Sequence, residues 1–372
     1  MTIASGPNVA TLVVDGGPAG AINAPFVSIT FCEPGTSNCT TVDHILVDTG
    51  STGLRVMASL LTGINLPDAQ NGAGAPMFEC VQFVDGYSWG PLKTADVKIA
   101  GEQANALVVQ VIDDAATPAQ AAPGDCTNGK PSDNSVQSFG ANGVLGVAVF
   151  REDCGGSCAT NVVPATYYLC SSGSCQGTTA TLVQQVQNAV YHFATDNNGV
   201  IIQLPAIGSA GAFGARGALI FGIDTQTNNQ LRSATIMTVD PASGWITTSY
   251  NGQTLSRSFI DSGSNALFFN DSTLVQCTSS FASGFYCPAS ARTLSATNIS
   301  HTGVNSTVTF NVANTEALLN NQPNYFAFGN LAGTIPLASS FDWGLPFFYG
   351  RSVYVAIEGQ TTSGGTGPFM AY

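Results

Sequence analysis

Asp48 and Asp261 are the residues of this 372-residue chain whose surroundings could do chemistry. Each ends an apolar run, Ile45-Leu46-Val47 in one case and Phe259-Ile260 in the other. Each is followed by small residues, Thr49-Gly50-Ser51 and Ser262-Gly263-Ser264. Such a run reads as a buried strand, and a carboxyl group at its end is desolvated, which disfavours the charged form. The glycine permits a turn where no Cβ is tolerated, and the flanking hydroxyls can hydrogen-bond the carboxylate. One such tripeptide is an ordinary turn in which aspartate satisfies its own backbone. Two of them, 213 residues apart (48 to 261), are too distant for a solenoid repeat and suggest a pair. Two carboxyl groups held close together cannot both ionise, so they share a proton and supply a base and an acid at once. Amide hydrolysis by an activated water needs that combination.

A second signal follows each copy. Val144-Leu145-Gly146 lies about 100 residues beyond Asp48, and Trp343-Gly344 lies at a similar interval beyond Asp261. Each half therefore reads apolar-Asp-Ser/Thr-Gly-Ser and later apolar-apolar-Gly, an internal duplication in which each lobe contributes one carboxylate.

These residues resemble the pepsin-like aspartic proteases, two-lobed enzymes with one Asp-Thr/Ser-Gly and one apolar-apolar-Gly per lobe. Residues 181–194 and 199–205 look like the helix and strand that close the first lobe. Residues 217–239 look like the strand that opens the second, and 345–359 like its last motif and C-terminal strands. The likeness covers most of the chain in the right order and looks nearest to poorly characterised bacterial members. It implies an all-β, bilobal, double-barrel fold with a few short helices and a central cleft, the lobes being 1–205 and 206–372. By resemblance, Asp48 and Asp261 are catalytic and hold a water. Gly50 and Gly263 let backbone N–H groups approach the inner oxygens, Ser51 and Ser264 bond the outer ones, and Thr49 and Ser262 lock the two loops together. The implied activity is an endopeptidase working at acidic pH on peptides or proteins as a monomer, with no cofactor and no metal. The competing implication is a pepsin-fold binding or inhibitor protein without turnover, although such proteins usually lose an aspartate or its glycine and this chain keeps both.

Two places depart from the family pattern. A hairpin flap with a tyrosine near its tip is expected over the cleft, and residues 81–99 offer Phe83, Tyr87 and Trp89 as substrate-facing candidates. The family also has an apolar residue and tryptophan after its first motif, where this chain has Leu54-Arg55. An Arg55 aimed into the cleft would favour the ionised pair; otherwise it points to solvent or pairs with a neighbouring carboxylate.

The elements that must position these groups read as strands. Short alternating runs such as 96–112 and 306–312, punctuated by glycine and asparagine, argue for many strands and few helices. One window, 181–194, reads as an amphipathic helix with Leu182, Val186, Ala189, Val190 and Phe193 on one face. No apolar span is long enough to cross a membrane as a helix. Ten Lys and Arg against 23 Asp and Glu give a net charge of −13, which leaves no basic patch for nucleic acid.

Ten cysteines fall into close pairs, Cys32/Cys39, Cys154/Cys158, Cys170/Cys175 and Cys277/Cys287, leaving Cys80 and Cys126. None of the three histidines lies near a pair, so disulfides in an oxidising compartment are the reading, with a secreted or periplasmic location. The expected bridges are Cys32–Cys39, Cys277–Cys287 and Cys80–Cys126, while the four cysteines at 154–175 pair among themselves in an order left open. No leader is visible, and an export signal is expected to have been removed. A serine hydrolase would need a histidine base that no motif supplies. A glycosidase pair gives no reason for each carboxylate to sit in its own Ser/Thr-Gly-Ser frame.

Overall fold

The computed structural model describes residues 2–84, 86–115, 120–171 and 173–372. Strands dominate, and the longest α-helix among the described residues is Thr315–Asn321. The chain is all-β for the reason its alternation suggests. In the strand Asn305–Val312, Val308, Phe310 and Val312 turn inward while Thr309 and Asn311 face water.

Among the described residues, fifteen strands join in one sheet. Six of them run in the order Tyr87–Ile99, Glu102–Ile112, Thr52–Met57, Gly143–Val147, Cys39–Asp48, Pro25–Cys32. The last pairs back onto the first through Thr30↔Lys98, Phe31↔Val97 and Cys32↔Asp96, closing a barrel-like ring without free edges. The sheet then passes from Val9–Val14 to Ala215–Phe221, Gly199–Gln203 and Ser352–Ala356, so strands from both halves of the sequence are stitched side by side. Seven further strands, all between residues 246 and 343, form a second sheet.

The duplicated signals fold in the same way. Cys39–Asp48 runs parallel to Gly143–Val147, with Leu46↔Val144, Val47↔Leu145 and Asp48↔Gly146 in register, and Thr52–Met57 pairs antiparallel on the other side of Gly143–Val147. Gln253–Ile260 runs parallel to Asp342–Trp343, with Phe259↔Asp342 and Ile260↔Trp343, and Leu267–Phe268 pairs antiparallel on its other side. Gly146 and Gly344, the glycines of the two later signals, are both needed for space. A Cβ on Gly146 would lie 2.7 Å from the Ser51 carbonyl oxygen, and one on Gly344 would lie 2.1 Å from that of Ala266.

The two halves support these loops with different side chains. Beneath Asp48 the packing is aliphatic, from Ile45, Val47, Leu54, Val56 and Leu145, all fully buried. Near Asp261 it is aromatic: Phe341 stacks on Trp343 at 4.2 Å and on Phe269 at 4.7 Å, and Phe310 meets Trp343 edge-on at 5.5 Å. Each such pair adds about 0.5–1.5 kcal/mol beyond burial.

Residues 181–194 do not form the expected helix. Two 3-10 turns, Leu182–Gln184 and Ala189–His192, flank an extended stretch. The groups a helix would use are taken elsewhere. The Val186 N–H donates to the Tyr167 hydroxyl at 2.9 Å, and the Leu182 carbonyl accepts from the Gln187 side chain at 2.9 Å. The Asn188 side chain accepts from the Val190 N–H, which starts a new turn. Val186, Ala189, Val190 and Phe193 are nevertheless buried, while Leu182 is exposed. The apolar periodicity correctly marked most of the buried face and misread the backbone.

Candidate active site

Asp48 is the last residue of its strand and Asp261 follows Ile260 directly, so both carboxyl groups emerge where paired strands end. The two carboxyl groups come close together: the point where a Cβ on Gly263 would sit is 2.7 Å from Asp48 Oδ1 and 3.2 Å from Asp261 Oδ1. Their frames match atom for atom. The Gly50 N–H donates to Asp48 Oδ1 at 2.7 Å and the Ser51 hydroxyl donates to Oδ2. The Gly263 N–H donates to Asp261 Oδ1 at 2.8 Å and the Ser264 hydroxyl to Oδ2 at 2.8 Å.

The glycines answer to crowding rather than to a left-handed backbone. A Cβ on Gly50 would lie 2.7 Å from Asp261 Cγ, and one on Gly263 would lie 2.7 Å from Asp48 Oδ1. Each half thus leaves room for the other half's carboxyl group.

Thr49 and Ser262 bind the loops crosswise. The Ser262 hydroxyl accepts from the Thr49 N–H at 3.1 Å and donates to the Val47 carbonyl at 2.7 Å. The Thr49 hydroxyl accepts from the Ser262 N–H at 2.9 Å and donates to the Ile260 carbonyl at 2.9 Å. Both residues are buried, so each bond is made where water cannot replace it. Burial pushes the Asp261 carboxyl well above the usual carboxylate range; Asp48 and then Asp342 push it the same way, and the Ser264 bond opposes.

A cavity of about 480 Å³ opens over the pair. The hairpin of Met77–Gln82 and Tyr87–Ile99 reaches it, and Phe83 and Val84 at its turn line the space. Phe83 meets Phe139 edge-on at 5.6 Å, so the tip rests on the short helix Val136–Phe139. The other two expected substrate-facing aromatics are not in the cavity lining. Trp89 is buried against the Cys80–Cys126 bridge, Phe78 and Tyr168, and its indole N–H donates to the Gln120 carbonyl. Tyr87 packs at the edge of that same cluster. Period two explains the outcome, because alternate residues of a strand share a face.

Arg55 does not line the cavity, nor does it reach solvent. Its guanidinium is buried and holds Glu79 through Nη2–Oε1 at 2.7 Å and Nε–Oε2 at 3.3 Å, Asp153 at 3.2 Å, and the Thr52 carbonyl at 2.8 Å. It is the paired alternative, carried into the core. Glu79 sits on the hairpin strand Met77–Gln82, so this ion cluster joins the base of the hairpin to the strand leaving Asp48. Burial pushes the Glu79 carboxyl up and the Arg55 charge opposes.

All ten cysteines are paired. The bridges are Cys32–Cys39, Cys80–Cys126 and Cys277–Cys287 as expected, and the open choice resolves to Cys154–Cys158 and Cys170–Cys175. Five disulfides suit an oxidising compartment. The described residues bring Cys277, Cys287 and Glu316 together, but both sulfurs are bridged and Glu316 accepts from the Thr278 and Ser279 N–H groups. No helix of the described residues is long and apolar enough to cross a membrane.

The sequence reading passed over Asp342. It is buried and lines the same cavity as Asp48 and Asp261, and its carboxyl helps push that of Asp261 up. Its signal was present in the duplication, since register matches it to the apolar Val144 of the first half.

Among curated proteins the chain finds no match. The family model described as "Protein of unknown function (DUF3443)" matches residues 4–372, and the chain belongs to that family.

Proposed function

We propose that this protein is an aspartic endopeptidase, bilobal and pepsin-like, that hydrolyses peptide bonds at acidic pH through a water held by Asp48 and Asp261. The observation that carries the reading is the reciprocal frame. Each carboxyl group is held by its own glycine N–H and serine hydroxyl, each glycine makes room for the opposite carboxyl, and Thr49 and Ser262 fix the two loops to each other. Lobes at 1–205 and 206–372 are consistent with the closed six-strand ring in the first half and the separate seven-strand sheet in the second. The five disulfides support a secreted or periplasmic site of action.

The chemistry follows from one shared proton. The ionised carboxylate removes a proton from water as its oxygen attacks the peptide carbonyl carbon, and the protonated carboxyl donates to the carbonyl oxygen. The resulting gem-diol collapses: one hydroxyl returns its proton to a carboxylate, the C–N bond breaks, and the nitrogen takes a proton from the other carboxyl. Burial and the neighbouring carboxylates favour protonation of Asp261, whereas the Ser264 hydroxyl favours its charge. Those opposing influences suit a pair that carries one proton between them. The hairpin tip, with Phe83 and the exposed Val84, would cover a bound peptide and exclude water.

The test is digestion of an unfolded protein at acidic pH, read by mass spectrometry, with and without a statine-containing peptide that mimics the tetrahedral intermediate. Cleavage blocked by that peptide is expected. Absence of cleavage across the acidic range would favour the binding-protein alternative.

A further inference from the structure

We infer that Asp342 makes the Asp261 flank of the cavity a subsite for a lysine or arginine side chain of the substrate, adjacent to the bond cleaved. The inference deepens the peptidase reading and rests on it. Register gives the two flanks of the cavity equivalent positions: Leu46 beside Val144 in the first half, Phe259 beside Asp342 in the second. All four line the cavity. One flank is therefore apolar, whereas the other carries a carboxyl group where its counterpart carries an isopropyl group.

Asp342 is only 4% exposed, and its Oδ1 has no hydrogen-bond partner among the described residues. A buried carboxyl oxygen without a partner is costly, and valine at the matching position performs the structural duty without that cost. The cavity supplies a direction for the missing partner. Its lining contains Asp48, Asp133, Asp261 and Asp342 and no lysine, arginine or histidine. Phe259, Phe268, Ile335 and Pro336 line the same space and offer apolar surface to the methylene stem of a long basic side chain. A cation seated there completes the open oxygen and offsets the mutual repulsion of the carboxylates.

The groups facing Asp342 are the Asp48 and Asp261 carboxyls and the Ser264 hydroxyl. Burial first, and then Asp48, push the Asp342 carboxyl up, while the Ser264 hydroxyl opposes. Its charge is therefore weakest in acid, and the basic preference should sharpen as pH rises.

Two measurements test this. Peptides identical except for lysine or norleucine beside the scissile bond are compared as substrates of the wild type, Asp342→Val and the near-isosteric Asp342→Asn, with folding checked by urea midpoints. The expected result is an approximately tenfold advantage of lysine in kcat/KM at one flanking position only, reversed in Asp342→Val and largely lost in Asp342→Asn. The same peptides are titrated against Asp261→Asn, with and without Asp342→Val, by fluorescence anisotropy. If no peptide is cleaved but lysine binds tighter in an Asp342-dependent manner, the subsite stands and the peptidase reading falls. Cleavage with no basic preference, or equal binding of the two peptides, overturns the subsite itself.

Discussion

Replacing Arg55 with methionine should destabilise the protein severely without altering the chemistry at the aspartate pair. The side chains of Arg55 and Glu79 are 2% and 1% exposed, so their bidentate pair is cut off from water. Methionine keeps most of the volume but leaves the Glu79 carboxyl without its cation, removes one partner of Asp153, and strips the Thr52 carbonyl of its donor. Removing one member of such a pair costs about 3–5 kcal/mol, a large part of the roughly 5–15 kcal/mol that holds a typical domain together. The loss has a pH signature. Arg55 holds the Glu79 carboxyl down against burial, so without it the carboxyl takes a proton more readily, and the penalty should be smaller at about pH 4 than at about pH 7. Replacing Glu79 with methionine as well removes the buried charge and should return most of the loss. Urea midpoints of the wild type, both single variants and the double variant, disulfides intact, give the comparison. A loss below about 1 kcal/mol for Arg55→Met, or a double variant as unstable as the sum of the singles, would refute the reasoning.

Stability should peak in mild acid. Asp261 and Asp342 have folded values raised above the unfolded one, so their contribution is full below about pH 4 and is lost as pH rises through the folded values. Asp224 and Asp271 are shifted down, by hydrogen bonds that outweigh burial, so theirs is present above about pH 4 and lost as pH falls further. Urea midpoints should therefore fall between about pH 5 and pH 7, less steeply in Asp342→Asn; a midpoint that rises over that range would contradict the assignment. Gly263→Ala puts a Cβ 2.7 Å from Asp48 Oδ1 and should separate the carboxyl groups, lowering kcat/KM about 100-fold, a loss that unchanged kinetics would disprove.

The parts of the molecule legible in its sequence are those fixed by local chemistry repeated twice. Asp48 and Asp261, with their glycines and hydroxyls, form a motif whose geometry is set within a few residues, and duplication announced that two such loops should meet. Arg55 could be read as an anomaly but not placed, because Glu79 and Asp153 come to it from distant strands. Trp89 and Tyr87 looked like cleft aromatics on the hairpin strand, yet the bridge Cys80–Cys126 draws that stretch into a small core of its own. Residues 181–194 had the right apolar spacing for a helix, but backbone N–H bonds to the Tyr167 hydroxyl and the Asn188 side chain, and a bond from the Gln187 side chain to the Leu182 carbonyl, outbid the helical ladder. Asp342 was hidden beside the conspicuous Trp343-Gly344 step, and only parallel register with Phe259 reveals which face it shares.

The measurement closest to the centre of this account is kcat/KM against pH for one peptide, in the wild type, Asp48→Asn, Asp261→Asn and the double variant. Two carboxyl groups sharing one proton should give a bell-shaped profile with both limbs in the acidic range. Either single substitution should remove activity by about 1000-fold or more, and the double variant should be no worse than either single one, because the pair acts as a unit. Substantial cleavage by a folded Asp48→Asn or Asp261→Asn protein would contradict it.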